Sequence, residues 1–275
     1  YLGKVFNLGD LNVKAEMLSV FHIGYHEKIN ENLIVGGRAK IYSSIFNAAS
    51  TKNRGYIYTI PSDKGVYEQV VASNLELKTS GISKYFDENY SGNVVSDIRQ
   101  KAFFGGDLGL GLDAGLSYYP KNNVQFTASV IDFGFIKHAK DVKNYTYKGY
   151  YKYEGLNPSF TSGNSTANVY EEFKDAIPLD SSYTNYTSWR PVKFNSSIQF
   201  SFDDSRSKDC NCDGADSGYR NAIGGQLFVM SSPRTPFMAF TAYYRRRILN
   251  SLQMKATYTV DSYSYKNIGL GLSTQ

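Results

Sequence analysis

A two-residue alternation of apolar and polar side chains recurs along this chain. Residues 107–116, 192–203 and 251–260 each follow it. Side chains of a β-strand point to opposite sides with a period of two, so each segment has one apolar and one polar face. Strands of about ten residues with this pattern are typical of transmembrane β-barrels, which place lipid outside and a polar lumen inside. The sequence therefore predicts an all-β fold: an antiparallel outer-membrane β-barrel with an even number of strands when complete.

The alternation also assigns individual side chains to the two faces. Those predicted to point outward, toward lipid, are Phe194, Ile198, Phe200, Leu252 and Met254. Those predicted to point inward are Lys193, Gln199, Gln253 and Lys255.

Composition supports a barrel over a soluble β-sandwich. The chain has 24 Tyr and 17 Phe, and only 20% of its residues are charged. Tyrosine suits the aromatic girdle where a barrel meets the lipid headgroups. A tyrosine-rich soluble sandwich is the alternative, but the predicted strands are longer than the usual 5–6 residues of soluble sheets.

The strands predicted from the pattern share the same alternation and are separated by turn residues. They are 11–25, 33–46, 55–60, 66–80, 107–119, 124–137, 192–203, 219–231, 236–247, 250–260 and 264–273. Strand-like sequence at both ends and the lack of a signal peptide favour a single domain over 1–275 that lacks terminal strands. The parity of the strand at 124–137 would place Asp132 in lipid, so we expect a β-bulge near Ile131 and Asp132.

The longest connection, 138–191, is predicted to be an extracellular loop with its own structure. It contains a tyrosine cluster over 145–153 and a helix-like segment over 167–177, which Ser165 or Thr166 would cap. Long connections with no structure or function of their own are uncommon, so we expect this loop to cover the barrel opening or to dock a partner. The alternative is a passive loop packed over its own rim.

The charges on the predicted polar faces form a second group of candidates. His22 shares its face with Lys14 and Glu16, and Arg38 and Lys40 share the face of the next strand. We expect these charges to set the field of the lumen or to pair with Asp107 and Asp113, unless they are simply a solvated, ion-paired wall.

A short acidic motif is the metal candidate of the sequence. Asp209, Asn211 and Asp213 supply oxygen ligands at alternating positions and precede Gly214, as in the first half of a calcium loop. The position of the expected bidentate Glu is Arg220, so an acidic surface turn is the alternative. Cys210 and Cys212 within this motif form a strained disulfide or stay as thiols.

No motif predicts catalysis. The histidines are His22, His26 and His138, and neither His-Glu-x-x-His nor Gly-x-Ser-x-Gly occurs. Ser, His and Asp are present, but no spacing places them together, so we expect no enzyme, no catalytic residues and no cofactor besides the candidate calcium. The basic run Arg245–Arg247 fits a membrane edge, and no wider basic face predicts nucleic-acid binding.

Two hairpin segments carry a resemblance to a known family. The segments 105–120 and 124–136 pair a Gly-Leu-Asp-x-Gly strand with a Ser-Val-x-Asp-x-Gly-Phe-Ile strand, and the segment 25–40 forms a similar hairpin. Together they resemble a family of outer-membrane β-barrels of Bacteroidota that is mainly of unknown function. Its distant relatives include barrels of the fatty-acid-transporter type and barrels of the type 9 secretion machinery. The resemblance implies no catalytic residues.

The sequence therefore predicts an integral protein of the bacterial outer membrane. Its expected partners are the lipid bilayer and other outer-membrane or periplasmic proteins. The expected function is a structural or accessory subunit of a larger assembly for secretion or surface-protein export. The alternative is a channel or transporter for a small solute, which would be hydrophobic only if the inner faces were apolar.

Overall fold

A computed structural model describes residues 2–61, 67–86, 90–153, 165–204, 219–249 and 251–274. In these residues the strands form one antiparallel sheet of fifteen strands. The first eight strands are β1 (Val5–Asn7), β2 (Val13–Asn30), β3 (Leu33–Ser50), β4 (Arg54–Pro61), β5 (Tyr67–Ser80), β6 (Asp107–Lys121), β7 (Val124–His138) and β8 (Asn144–Tyr153). The others are β9 (Leu179–Ser182), β10 (Tyr186–Trp189), β11 (Lys193–Asp204), β12 (Tyr219–Met230), β13 (Phe237–Leu249), β14 (Leu252–Asp261) and β15 (Asn267–Thr274).

Two short α-helices are described, one between β5 and β6 and one between β8 and β9. Helix α1 (Val94–Gln100) is capped by Asn93, whose side chain accepts from the backbone N–H groups of Val95 and Ser96. Helix α2 covers Ser165–Ala176. None of the described helices has both the length and the apolar character needed to cross a membrane.

The predicted all-β, antiparallel fold is confirmed, and each of the eleven predicted strands overlaps a strand of the structure. The sequence did not predict the short strands β1, β9 and β10 or the ten-residue strand β8. The connection 138–191 is therefore partly folded, as expected: β8 pairs with β5 and β9, and β10 pairs with β7. Helix α2 begins two residues before the predicted 167–177, so Ser165 and Thr166 lie within it rather than before it.

The chain divides into two compact units. The first unit comprises Tyr1–Ser19, Tyr42–Leu108 and Ile136–Ser188, and the second comprises Val20–Ile41, Gly109–Phe135 and Trp189–Gln275. The single domain predicted over 1–275 stays a prediction.

The first unit has an apolar core of the ordinary kind. Val70 and Ile136 are fully buried there, and Val142 and Ile177 are nearly so. Helix α2 packs on the sheet formed by β4, β5 and β8, where the ring of Phe173 meets that of Tyr151 edge-on at 5.5 Å. Gly149 permits this contact, because a Cβ atom there would stand 2.0 Å from the carbonyl oxygen of Ala176.

The second unit is a wall of long strands in which rows of apolar and polar side chains alternate. One row across β7 and β11 to β15 is apolar and consists of Val124, Phe200, Ile223, Tyr244, Ala256 and Leu270. A nearby row of the same strands is polar and consists of Thr127, Ser197, Gln226, Thr241, Thr259 and Asn267. The alternation read from the sequence therefore continues from strand to strand because the antiparallel register brings like side chains together.

The bulge expected in β7 is present. The regular pairing with β11 ends at Ile131, and the next residue, Asp132, has a positive φ of 62°. The exposed apolar side chains before this point are at even positions, such as Phe126 and Val130, whereas Phe133 and Phe135 are exposed after it. The extra residue thus shifts the alternation by one and turns Asp132 toward the polar face.

Candidate functional site

The most distinctive surface of the second unit is its apolar face, which is open to the surroundings. Phe240 is 53% exposed and Leu270 is 82% exposed. The other outward side chains of these strands behave alike: Ile198, Phe200, Ile223, Met238, Met254, Tyr258, Ile268 and Leu272 are all exposed. A contiguous apolar face of this extent is unusual on a protein surrounded by water and marks contact with lipid or another protein.

The opposite face of the same strands holds hydrogen-bonded polar side chains. The hydroxyls of Thr127 and Ser197 lie 2.7 Å apart. The Tyr243 hydroxyl donates to Gln199 Oε1 at 3.0 Å, and Lys255 Nζ lies 4.1 Å from the centre of the Tyr243 ring. Non-covalent contacts between polar side chains therefore connect neighbouring strands on this face.

A cluster of charges on this face joins β3, β6, β7 and β11. Lys40 Nζ lies 2.7 Å from Asp113 Oδ1 and 2.6 Å from Asp132 Oδ1, although Lys40 is only 8% exposed. Lys193 Nζ lies 2.9 Å from Asp132 Oδ2, and Arg38 Nε lies 3.6 Å from Asp113 Oδ2. The β7 bulge makes the cluster possible, because it turns Asp132 toward both lysines.

A cavity of about 730 Å³ lies beside this cluster within the second unit. It is bounded by β2, β3, β6 and β7, and its polar lining includes His22, His26, Arg38, Asp113, Thr127 and Ser129. Gly24 leaves room for the Arg38 side chain, because a Cβ atom there would stand 2.5 Å from Arg38 Cγ. The volume lies in the range of small-molecule sites, and both the Arg38 cation and the Asp113 carboxylate reach it.

A second polar cluster lies in the first unit and is centred on His138, which is fully buried. The Nδ1 atom of His138 lies 3.2 Å from Asp107 Oδ2 and 2.8 Å from the Ser80 hydroxyl. Its Nε2 atom lies 2.8 Å from the Ser188 hydroxyl. The Tyr186 ring stacks on the imidazole with 4.6 Å between ring centres. His138, on β7, therefore links side chains of the strands β5, β6 and β10.

Asp107 is held in its charged form by this cluster. Burial would raise the pKa of its carboxyl, but hydrogen bonds from His138, from the backbone N–H groups of Ala139 and Lys140, and from Ser80 outweigh burial. The pKa of Asp107 therefore lies below its usual range. For Tyr186 burial is the larger effect and raises the pKa to about 12, while the hydroxyl donates to Asn47 Oδ1 at 2.9 Å.

One family model matches the whole chain, residues 1–275, and its description is a family of unknown function, DUF5723. The chain belongs to this family. No curated protein matches the sequence. The description of the family gives neither a cellular location nor an organism, so the resemblance to outer-membrane barrels of Bacteroidota stays a prediction.

The predicted charge pairs are partly confirmed. Asp113 binds Arg38 and Lys40 as expected, whereas Asp107 binds His138 instead. Lys14 pairs with Glu16 at 3.3 Å on β2. The cluster around His138 was not predicted, because Ser80, Asp107 and Ser188 lie 31 to 58 positions from His138 and no local motif connects them. We expected no Ser, His and Asp to lie together, and this was wrong, since strand pairing brings Ser188, His138 and Asp107 into contact.

The predicted calcium ligands Asp209, Asn211 and Asp213 lie outside the described residues, as do Cys210 and Cys212. Within the described residues, no three His, Cys, Asp or Glu side chains are grouped to hold a metal ion. The calcium site stays a prediction.

Proposed function

We propose that the second unit is part of the wall of an outer-membrane β-barrel and that the protein is a structural or accessory subunit of a larger outer-membrane assembly. The observation that carries the membrane part is the exposed apolar face of β6, β7 and β11 to β15, opposite a hydrogen-bonded polar face. A soluble sheet buries its apolar face, whereas a barrel wall turns it to lipid.

The buried residues of the second unit support the same proposal. Of its side chains, those of Lys40, Asp113 and Ser201 are buried together with Ala222, while its large apolar side chains stand outside. A protein surrounded by water loses stability when it buries charged side chains and exposes apolar ones. The same arrangement is favourable when hydrocarbon contacts the outside of the wall and a polar lumen lies inside it.

The accessory role is supported by the first unit. It has its own apolar core and its own helices, and it lies outside the segments that we propose to span the membrane. The tyrosines of its sheet include Tyr56, Tyr147 and Tyr150, which are exposed and of a kind enriched at protein interfaces. In an assembly for secretion or surface-protein export, such a unit would hold a partner protein.

The membrane part is tested by spin labels at four consecutive residues of β14. Labels at positions 252 and 254 should be accessible to oxygen dissolved in the bilayer, and labels at 253 and 255 to a water-soluble nickel reagent. Neighbouring labels are one residue apart on the same strand, so the labels at 253 and 255 serve as controls for those at 252 and 254. Reversed accessibility, or aqueous accessibility at all four positions, would overturn the proposal.

The accessory role needs a separate experiment. Photo-crosslinkers placed at Tyr56 and Tyr150 in cells should join the protein to one defined partner, and a crosslinker at the outward residue Phe240 should join it to lipid. Purified protein should show little conductance in planar bilayers. A large steady conductance without any crosslinked protein partner would reject the accessory role in favour of a channel.

The channel or transporter is the second candidate, and the cavity favours it. The cavity lies on the polar face, and the cations Arg38, Lys40, Lys193, Arg245 and Lys255 are on that face. A passage lined in this way would prefer small anions over apolar solutes. Under this alternative, Arg38→Glu would shift ion selectivity toward cations, with Arg246→Glu on the outward face of β13 as the control.

A further inference from the structure

The cluster around His138 has the arrangement that activates a serine hydroxyl. Asp107 and Ser188 contact opposite nitrogens of the same imidazole, at 3.2 Å and 2.8 Å. A hydroxyl, a base within hydrogen-bond reach and a carboxylate that orients the base are the parts of a Ser-His-Asp triad, which is identified by geometry and not by sequence order. We propose that Ser188 is the nucleophile of a hydrolytic site in the first unit that cleaves carboxylic esters with a small acyl group.

The hydrogen bonds fix the tautomer that this chemistry needs. Asp107 Oδ1 accepts two backbone N–H bonds at 2.9 Å, from Ala139 and Lys140, and Oδ2 faces His138 Nδ1. A carboxylate only accepts hydrogen bonds, so Nδ1 of the imidazole carries the proton and Nε2 carries the lone pair. The Ser188 hydroxyl therefore donates to Nε2, which is the direction of proton transfer when a serine attacks.

Exposure distinguishes Ser188 from the rest of the cluster. His138 is fully buried, and Ser80 and Asp107 are 1% and 4% exposed, whereas Ser188 is partly exposed. Ser188 lies on β10, which among the described residues pairs with β7 alone. Ser188 is thus the most exposed of these four residues, while the base and the carboxylate are buried, so we place the approach of the substrate at Ser188.

The reaction uses only the substrate and water. The Ser188 oxygen bonds to the ester carbonyl carbon while His138 Nε2 takes the hydroxyl proton, and the bond to the alcohol then breaks as His138 returns that proton to the leaving oxygen. Water attacks the acyl-serine in the same way, giving a carboxylic acid and restoring Ser188. Asp107 holds the imidazole and stabilises its positive charge without being protonated.

The size of the acyl group follows from the surroundings of the histidine. The stacked Tyr186 ring covers the imidazole, and the Tyr186 hydroxyl is fixed by Asn47. A bulky acyl group would have to displace this ring. The site is in the unit that lies outside the proposed membrane segments, so a small water-soluble ester such as an acetyl ester fits best.

The test uses the full chain in detergent with a fluorophosphonate probe and p-nitrophenyl acetate. The probe should modify Ser188, as located by mass spectrometry, with loss of fluoride. Ser188→Ala should abolish the adduct, and Ser182→Ala on the exposed strand β9 should keep it. Asp107→Asn should lower the rate of acetate release by about 10²–10⁴-fold, because Asn no longer selects the tautomer and no longer stabilises the imidazolium.

Wild-type protein alone already decides the proposal, so a variant that fails to fold does not leave it open. Absence of an adduct on Ser188 in folded protein, or equal labelling of Ser182, would overturn the proposal and leave the cluster as a purely structural brace between strands.

Discussion

The two units of this chain differ in whether their described residues bury large apolar side chains. The first unit encloses Val70, Ile136, Val142 and Ile177 together with polar groups such as Asp107 and His138. The second unit encloses Lys40 and Asp113 and leaves the phenylalanines and leucines of the same strands exposed. The chain uses the same period-two alternation in both. The alternation alone therefore does not decide which face of a strand becomes the interior.

Two aspartates on the same strand sharpen this difference. Asp107 and Asp113 lie on one face of β6, six residues apart. Asp107 belongs to the first unit and is bound by backbone N–H groups, serine and histidine, whereas Asp113 belongs to the second unit and is bound by Lys40 and Arg38. Partners without a permanent charge are sufficient for one carboxylate, and the other is neutralised by full positive charges. The predictions below test this contrast.

The largest effect is expected for Lys40→Met. Lys40 joins Asp113 to Asp132, and its side chain is 9% exposed, so its loss leaves two nearly buried carboxylates without their shared cation. Breaking a buried ion pair in this way costs about 3–5 kcal/mol of folding free energy. Urea unfolding in detergent or lipid vesicles measures it.

Lys255→Met is the matched control for that substitution. Lys255 is exposed and contacts the Tyr243 ring, so its replacement should cost less than about 1 kcal/mol. Equal losses for the two variants would show that the charge cluster contributes nothing special to the second unit.

A slightly smaller effect is expected for Phe240→Arg. Phe240 points outward from β13, and an arginine on the lipid face of a barrel costs about 2–4 kcal/mol near the bilayer midplane. Thr241→Arg, one residue further and on the polar face, should be tolerated. Folding yield into lipid vesicles compares the two. If Phe240→Arg folds as well as Thr241→Arg, the outward face does not contact lipid.

Acid should weaken the first unit through Asp107. The folded pKa of this carboxyl is lowered, so its contribution is fully present above the unfolded pKa of about 4 and is lost as the pH falls below that value. Asp107→Asn should remove this part of the pH dependence and cost about 1–3 kcal/mol at neutral pH. Proteolysis of the first unit between pH 3 and 7 in both proteins would show it. Parallel pH curves for wild type and variant would contradict the prediction.

The smallest effect is expected for Tyr186→Phe. Its hydroxyl donates a hydrogen bond to Asn47, whose loss costs about 1 kcal/mol. The folded pKa of about 12 lies above the unfolded value, so wild-type stability should fall as the pH rises from the unfolded value of about 10 through 12. Alkaline unfolding of the variant should lack this component. An unchanged alkaline transition would mean that another tyrosine dominates it.

Much of the fold could be predicted from the sequence because long strands with one apolar face repeat their signal over many residues. The segments at 124–137 and 192–203 illustrate this, and their observed bounds differ from the predicted ones by one residue at most. Strand β8 was missed because one of its faces is built of tyrosines and the segment contains no aliphatic residue or phenylalanine, which mark the faces of the predicted strands. The site around His138 was missed because it depends on which distant strands are paired, which alternation within each strand does not specify.

The bulge at Asp132 has a further consequence for how this sequence tolerates change. A single inserted or deleted residue elsewhere in β7 would reverse the faces of everything beyond it. At the bulge the strand already contains one residue more than regular alternation needs, so removing that residue leaves the faces of both halves of the strand unchanged. Ile131 and Asp132 are therefore the place in β7 where homologous chains can differ in length by one residue while both halves of the strand keep their orientation.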